Sequence, residues 1–172
     1  MSARAAARTT PVSPLQLREL RHEIEELNAE YAHVLDEGDL ERWVEFFTDD
    51  ALYRITGREN FDAGLPLGLV YCEGRGMLKD RATAILRTTT FAPRYLRHFH
   101  GPARVTALDD DGTIHARANY LVLQTELERK PEILQVGQYV DKLVRLDGAL
   151  RFRARHCVYD SLVIPNSLVF PV

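Results

Sequence analysis

Apolar residues recur at spacings of three and four through Leu17, Leu20, Ile24, Leu27, Tyr31, Val34 and Leu35. That spacing predicts one apolar stripe along a long helix. Ser13 is placed as its N-cap, Pro14 as its first residue and Gln16 as a capping-box partner, and Gly38 stops it. Asp39 can cap a second, short helix with Trp43, Phe46 and Phe47 on its apolar side. Residues 48–50 read as a turn and residues 51–56 as a strand. A loop around Gly64 and Pro66 leads to an apolar run at residues 67–72, read as a buried strand. A third helix is expected from about residue 77 to 87, with Leu78, Ala82, Ile85 and Leu86 inward and Pro93 as its limit.

The second half alternates instead. Residues 95–108 form one strand region, and Asp109, Asp110, Asp111 and Gly112 form a turn. Residues 113–126 put Ile114, Ala116, Ala118, Tyr120 and Val122 on one face. Residues 134–146 form another strand, where Gly137 suggests a bulge. Asp147–Gly148 is a strong hairpin signal. In the last strand, residues 149–160, Leu150, Phe152, Ala154, His156 and Val158 are expected on one face and Arg151, Arg153, Arg155, Cys157 and Tyr159 on the other. Helices followed by consecutive long strands make an α+β order. A curved sheet wrapped over a long helix makes a cone with room for a pocket.

The length of 172 residues suits one domain, with residues 1–14 as a flexible tail and residues 15–172 as the folded unit. The tail is basic, but without a signal-type apolar core. A net charge of −3 argues against a nucleic-acid surface. No apolar run approaches the ~20 residues of a membrane span. Cys72 and Cys157 lie in apolar surroundings and read as reduced core thiols, which favours the cytoplasm.

His98 and His100 share a strand face, and with Asp36 or Asp160 they have the donor types of an iron site. The Glu that barrel oxygenases place after the second His is absent, since Gly101, Pro102, Ala103 and Arg104 follow. An alternative acid–base site would join His98, His156, Asp36 and Tyr31, with Tyr53 nearby, inside the cone. A polar group in an unused cavity is the plainer reading of the same residues. Arg151, Arg153 and Arg155 form a basic stripe suited to solvent or to a partner's carboxylates. Charges also crowd both sides of the run at 67–72. Arg58, Glu59, Asn60 and Asp62 precede it; Glu73, Arg75, Lys79, Asp80 and Arg81 follow. Neither cysteine has the His partners of a Rieske centre. No glycine-rich nucleotide loop or nucleophile elbow is present.

The run from Tyr31 through Asp36, Gly38, Asp39, Trp43, Phe47 and Asp50 to Tyr53 resembles the opening of the NTF2-like (SnoaL-like) superfamily of cone-shaped α+β domains. GREN at residues 57–60, RGMLKDR at 75–81, RHFHGPARV, GQYVDKLVR and the ending CVYDSLVIPNSLVFPV are sharper. Together they resemble the small (β) subunits of aromatic-ring-hydroxylating dioxygenases, especially those for anthranilate, salicylate and terephthalate. The likeness spans about residues 17–172. It implies a chain without catalytic, cofactor or metal residues of its own. A large (α) subunit would carry the Rieske [2Fe–2S] cluster and a mononuclear iron, three α and three β subunits would assemble, and a reductase, with or without ferredoxin, would supply electrons. The charged flanks and the arginine stripe would then be contacts to α and to other copies of this chain. Two rivals stand beside this reading: a free-standing dehydratase, isomerase or cyclase using the cone, and a module that binds a small aromatic ligand.

Overall fold

The structure is a computed structural model that describes residues 13–88, 90–161 and 168–172. The expected tail falls almost wholly on residues 1–12, outside the described ones, as does part of the ending at residues 162–167.

Helix α1 (Pro14–Asp36) starts as its sequence dictates. Ser13 Oγ accepts from the Gln16 amide at 3.2 Å, and the Ser13 amide donates back to Gln16 Oε1 at 3.0 Å. Gly38 turns the chain out of the helix with φ +75°. Helix α2 (Leu40–Trp43), capped by the Asp39 carboxylate, runs into a 3₁₀ turn at Val44–Phe46. Strand β1 (Phe47–Gly57) leads into α3 (Arg58–Asp62), a short helix that sequence spacing does not reveal. Then come β2 (Val70–Glu73), α4 (Gly74–Arg87), β3 (Arg94–His100), β4 (Arg104–Leu108), β5 (Ile114–Glu126), β6 (Glu132–Leu146) and β7 (Ala149–Tyr159).

The strands form one sheet in the order β2-β1-β7-β6-β5-β3, with β4 also paired to β5. Among the described residues, only the β1–β7 pairing is parallel. The sheet curves over α1, and α4 packs on β1 and β2. The core lies between them, with Trp43, Phe47, Tyr53, Phe152 and Tyr31 at its centre. Asp147 and Gly148, at φ 50° and 82°, close the β6–β7 hairpin as expected.

Several expectations change on the way from sequence to fold. The long strand region at 95–108 is broken at residues 101–103 into β3 and β4. Residues 48–50 are not a turn between elements. They lie inside β1, at an irregularity where Phe47 pairs with Phe152 and Leu52 already with Ala154. Gly137 keeps register with Tyr159 and Tyr120. Its reason is close approach, because a Cβ there would stand 2.0 Å from the Val158 carbonyl oxygen.

The largest correction concerns β7. Its pairing with β6 slips between Lys142 and Leu143, so Leu143 faces Phe152 while Lys142 faces Ala154. One extra residue reverses the alternation. Arg155 and Cys157, expected on the outer face, point into the core, and His156 goes outside. The run at 67–72 is corrected as well. Val70 and Cys72 are buried, but Leu67 is 56% and Leu69 52% exposed on the open edge of the sheet.

Candidate functional site

The interior of the cone is held by the chain's own polar groups. The Tyr31 hydroxyl, on the buried face of α1, donates to the Val172 carbonyl oxygen at 2.9 Å and accepts from Trp43 Nε1 at 3.0 Å. Tyr53 on β1 accepts from the Val172 amide at 3.0 Å and donates to the same carbonyl at 3.2 Å. Cys157 Sγ lies 3.3 Å from that oxygen. Val172 is fully buried, and Arg81 Nη2 on α4 holds the segment by donating to the Val169 carbonyl at 2.9 Å. Pro171 and Val172, both buried, thus occupy the interior beside Tyr31 and Tyr53. Burial raises the Tyr31 and Tyr53 pKa values, so both stay protonated donors, and pushes the Cys157 thiol up to about 12.

Deeper lies Arg155. Its Nε and Nη2 donate to the two Asp141 oxygens at 3.0 and 2.8 Å, and Nη2 also donates to Asn28 Oδ1. The guanidinium stacks between Tyr31, Tyr139 and Phe152, with its centre 4.3, 4.0 and 3.8 Å from the ring centroids. Burial opposes its charge, but the Asp141 carboxylate outweighs burial and the net pKa is raised. The pair is a structural ion pair, closed to solvent. Asn28, Asp141 and Val172 were not singled out by sequence reasoning. Two signals existed: Asn28 interrupts the apolar stripe between Ile24 and Tyr31, and Asp141 sits between the inward Tyr139 and Leu143.

The four residues of the alternative acid–base site separate. Asp36 and His98 do meet: Asp36 Oδ1 lies 2.7 Å from His98 Nδ1 and accepts from the His98 amide at 3.0 Å. The His98 side chain is buried, and its Nε2 has no hydrogen-bond partner among the described residues. Tyr31 belongs to the Val172 network. His156 lies on the outer face against Arg54 Nη2 at 3.3 Å and edge-on to Phe61. Burial, helped by Arg54 and Lys142, lowers its pKa to about 4. His100 Nδ1 lies 3.4 Å from the Gly101 carbonyl. Among the described residues, no three His, Cys, Asp or Glu side chains gather as metal ligands.

The charges expected at an interface are mostly paired within the chain. Arg58 Nε donates to Asp160 Oδ1 at 2.9 Å, and Arg75 pairs with Glu45 and reaches Asp49 at 3.5 Å. Arg153 lies 3.6 Å from Asp50 and 3.7 Å from Asp111, and Arg151 donates to the Leu150 carbonyl. Arg155, being fully buried, is no surface residue at all. Glu59, Lys79 and Asp80 are exposed and in no ion pair among the described residues. What does stand out beside them is apolar: Leu65, Leu67, Leu69 and Tyr71 are exposed in succession toward and along the open edge of β2.

A family model described as a SnoaL-like domain matches residues 16–156. The chain is 35% identical to the anthranilate 1,2-dioxygenase small subunit of Burkholderia cepacia, over 87% of this chain and 92% of that one. It is 31% identical to subunit beta 2 of the terminal oxygenase component of a Comamonas terephthalate 1,2-dioxygenase, over 87% and 97%. Among solved structures it is similar to a Novosphingobium aromaticivorans β subunit assigned to an aromatic-ring-hydroxylating dioxygenase. That likeness has a TM-score of 0.82 and 36% identity, and covers 90% of this chain and 98% of the other.

Proposed function

This chain belongs to the small subunits of aromatic-ring-hydroxylating dioxygenases and holds a SnoaL-like domain, and from that premise we propose that it is a scaffold rather than a site of chemistry. It keeps large oxygenase subunits in register while oxygen activation takes place on them. The observation that carries this reading is the occupied interior: Val172 is fully buried and bonded by Tyr31 and Tyr53. A general acid or base must come within hydrogen-bond reach of its substrate. His98 is closed off with Asp36, and His156 is on the other face. The same occupied interior argues against the small-ligand module.

In this proposal three large and three small subunits assemble in the cytoplasm. The large subunit holds the Rieske [2Fe–2S] cluster and the mononuclear iron, and a reductase feeds it electrons from NAD(P)H. The substrate is an aromatic carboxylate, in keeping with the anthranilate and terephthalate systems of the relatives. The exposed strip Leu65–Leu67–Leu69–Tyr71 is proposed as a surface that a neighbouring subunit covers, since burying apolar area of this kind drives association, and the exposed Glu59, Lys79 and Asp80 as further contacts to a neighbouring subunit.

Co-expression with the large-subunit gene tests the proposal. A stable hetero-oligomer should form, and ring hydroxylation should require the large subunit. A His98→Asn variant that assembles normally should keep full activity. Turnover of an aromatic substrate by this chain alone, or loss of activity in that variant, would overturn the scaffold reading.

A further inference from the structure

The outer face of the sheet is unusual for a surface left to water. Arg104 on β4 and Arg117 on β5 stand directly opposite each other in the register. Like charges opposed across a strand pair repel, so the fold bears this arrangement at a cost. Neither arginine is paired with a carboxylate among the described residues, and neither are Lys142 and Arg54 on the same face. The contrast with Arg58, Arg75, Arg145 and Arg153, each held by an acid of this chain, is plain. A chain with a net charge of −3 thus collects unpaired cations on one face. Their field reaches His156, whose depressed pKa owes part of its shift to Arg54 and Lys142 after burial.

The two arginines also border a groove. The strand that would have run on from His100 is interrupted by Gly101 and Pro102, and an open hollow of ≈ 660 Å³ results. Arg104, Arg117, Asn119 and Gln138 line it. Gln138 is set between its neighbours: it accepts from Arg117 Nη1 and donates to Asn119 Oδ1, both at 3.3 Å. Beyond Asn119 the face turns apolar. Phe99, Leu121 and Val136 form one row across β3, β5 and β6, with Phe99 54% and Val136 39% exposed. An exposed aromatic and aliphatic row beside arginines and amides is the composition of a protein interface.

We infer that this outer face, from the Phe99–Leu121–Val136 row to the Arg104–Arg117 pair, is the dock for an acidic surface of the large subunit: carboxylates seated in the groove and an apolar side chain on the row. The inference rests on the small-subunit reading above and names its contact. A second copy docked by the same face about a two-fold axis would bring the arginines against themselves, and a second copy docked head-to-tail is the occupant that the self-association arm of the test below reads. The Leu67 edge is a separate surface, across the sheet from β4.

The test uses the chain co-expressed with its large subunit, as wild type and as Arg104→Glu/Arg117→Glu, followed by sedimentation velocity at low and high salt. The substituted side chains are exposed, so the melting temperature of the variant alone should stay at the wild-type value. The expected result is at least a tenfold weaker hetero-complex for the variant, salt-weakened assembly for the wild type, and an unchanged association state of the chain by itself. Binding of the large subunit within twofold of wild type would overturn the inference while leaving the scaffold reading intact. So would loss of self-association in place of hetero-assembly, which would assign the face to a second copy. Failure of the wild type to bind the large subunit would remove the scaffold reading, and this inference with it.

Discussion

Arg155 and Arg117 lie on opposite faces of one sheet and meet opposite fates. Arg155 donates to Asp141 and Asn28, and three aromatic rings cover it. Arg117 is exposed, opposes another arginine and, among the described residues, has only the Gln138 amide for a partner. Inside, the arginine finds its acid within the chain, while Arg155 Nη1 and Asn28 Nδ2 have no hydrogen-bond partner among the described residues. Outside, cations and apolar side chains are left for something else to satisfy. The inner face of a SnoaL-like cone can serve stability while, in the proposal above, the outer face and the β2 edge serve assembly.

The largest effect should come from breaking the inner side of this contrast. Asp141→Ala leaves a guanidinium buried without its counter-ion, which costs about 3–5 kcal/mol. Urea unfolding should show that loss, and Asp141→Leu combined with Arg155→Met should recover most of it. A single substitution costing less than about 1 kcal/mol would mean that the interior is not closed.

Next comes the Val172 network. Tyr31→Phe removes the donor to the Val172 carbonyl and the acceptor of Trp43 Nε1. A loss of about 1–3 kcal/mol is expected from the unpaired indole N–H. Binding of the large subunit by the folded variant should not change. Weakened binding would show that the two faces are coupled.

Smaller still is the pH dependence carried by His156 on the outer side. Its folded pKa of about 4 lies below the ordinary histidine value of 6.5. Between those values the unfolded chain binds the extra proton, so this contribution falls as pH drops from about 6.5 to about 4 and is constant above. Thermal melts across that window should slope less in His156→Gln than in wild type. Equal slopes would mean that the imidazole is solvated.

The smallest stability effect belongs to the edge. Leu67→Asp should change unfolding free energy by no more than about 0.5 kcal/mol, as an exposed site does. Sedimentation should nonetheless show weaker association with neighbouring subunits. A loss of stability as large as that of Tyr31→Phe would return Leu67 to the core.

Much of the fold was legible because it depends on local chemistry. The Ser13 cap, the stripe from Ile24 to Leu35, the turn at Asp147–Gly148 and the alternation from Ile114 to Val122 each follow from neighbours within a few residues. Helix α3, the break at Gly101 and the slip beside Arg153 do not, since pairing partners far along the chain set them. The site was legible only in part. Asp36 and His98 were expected together and are together. Their link to His156 failed at the β7 irregularity, which turns that residue to the other face, and Tyr31 is engaged by Val172 and Trp43 instead.

By itself, the sequence determined the long helices and most of the strands, the α+β order and the family likeness, because period, caps and motifs are properties of adjacent residues. Only the tertiary structure decided which arginine is buried and which leucines are bare. It also decided that Val172 is buried inside the cone. A leucine on an open edge and a leucine in a core are the same letter, and one slipped residue between two strands exchanges the inside of a sheet for its outside.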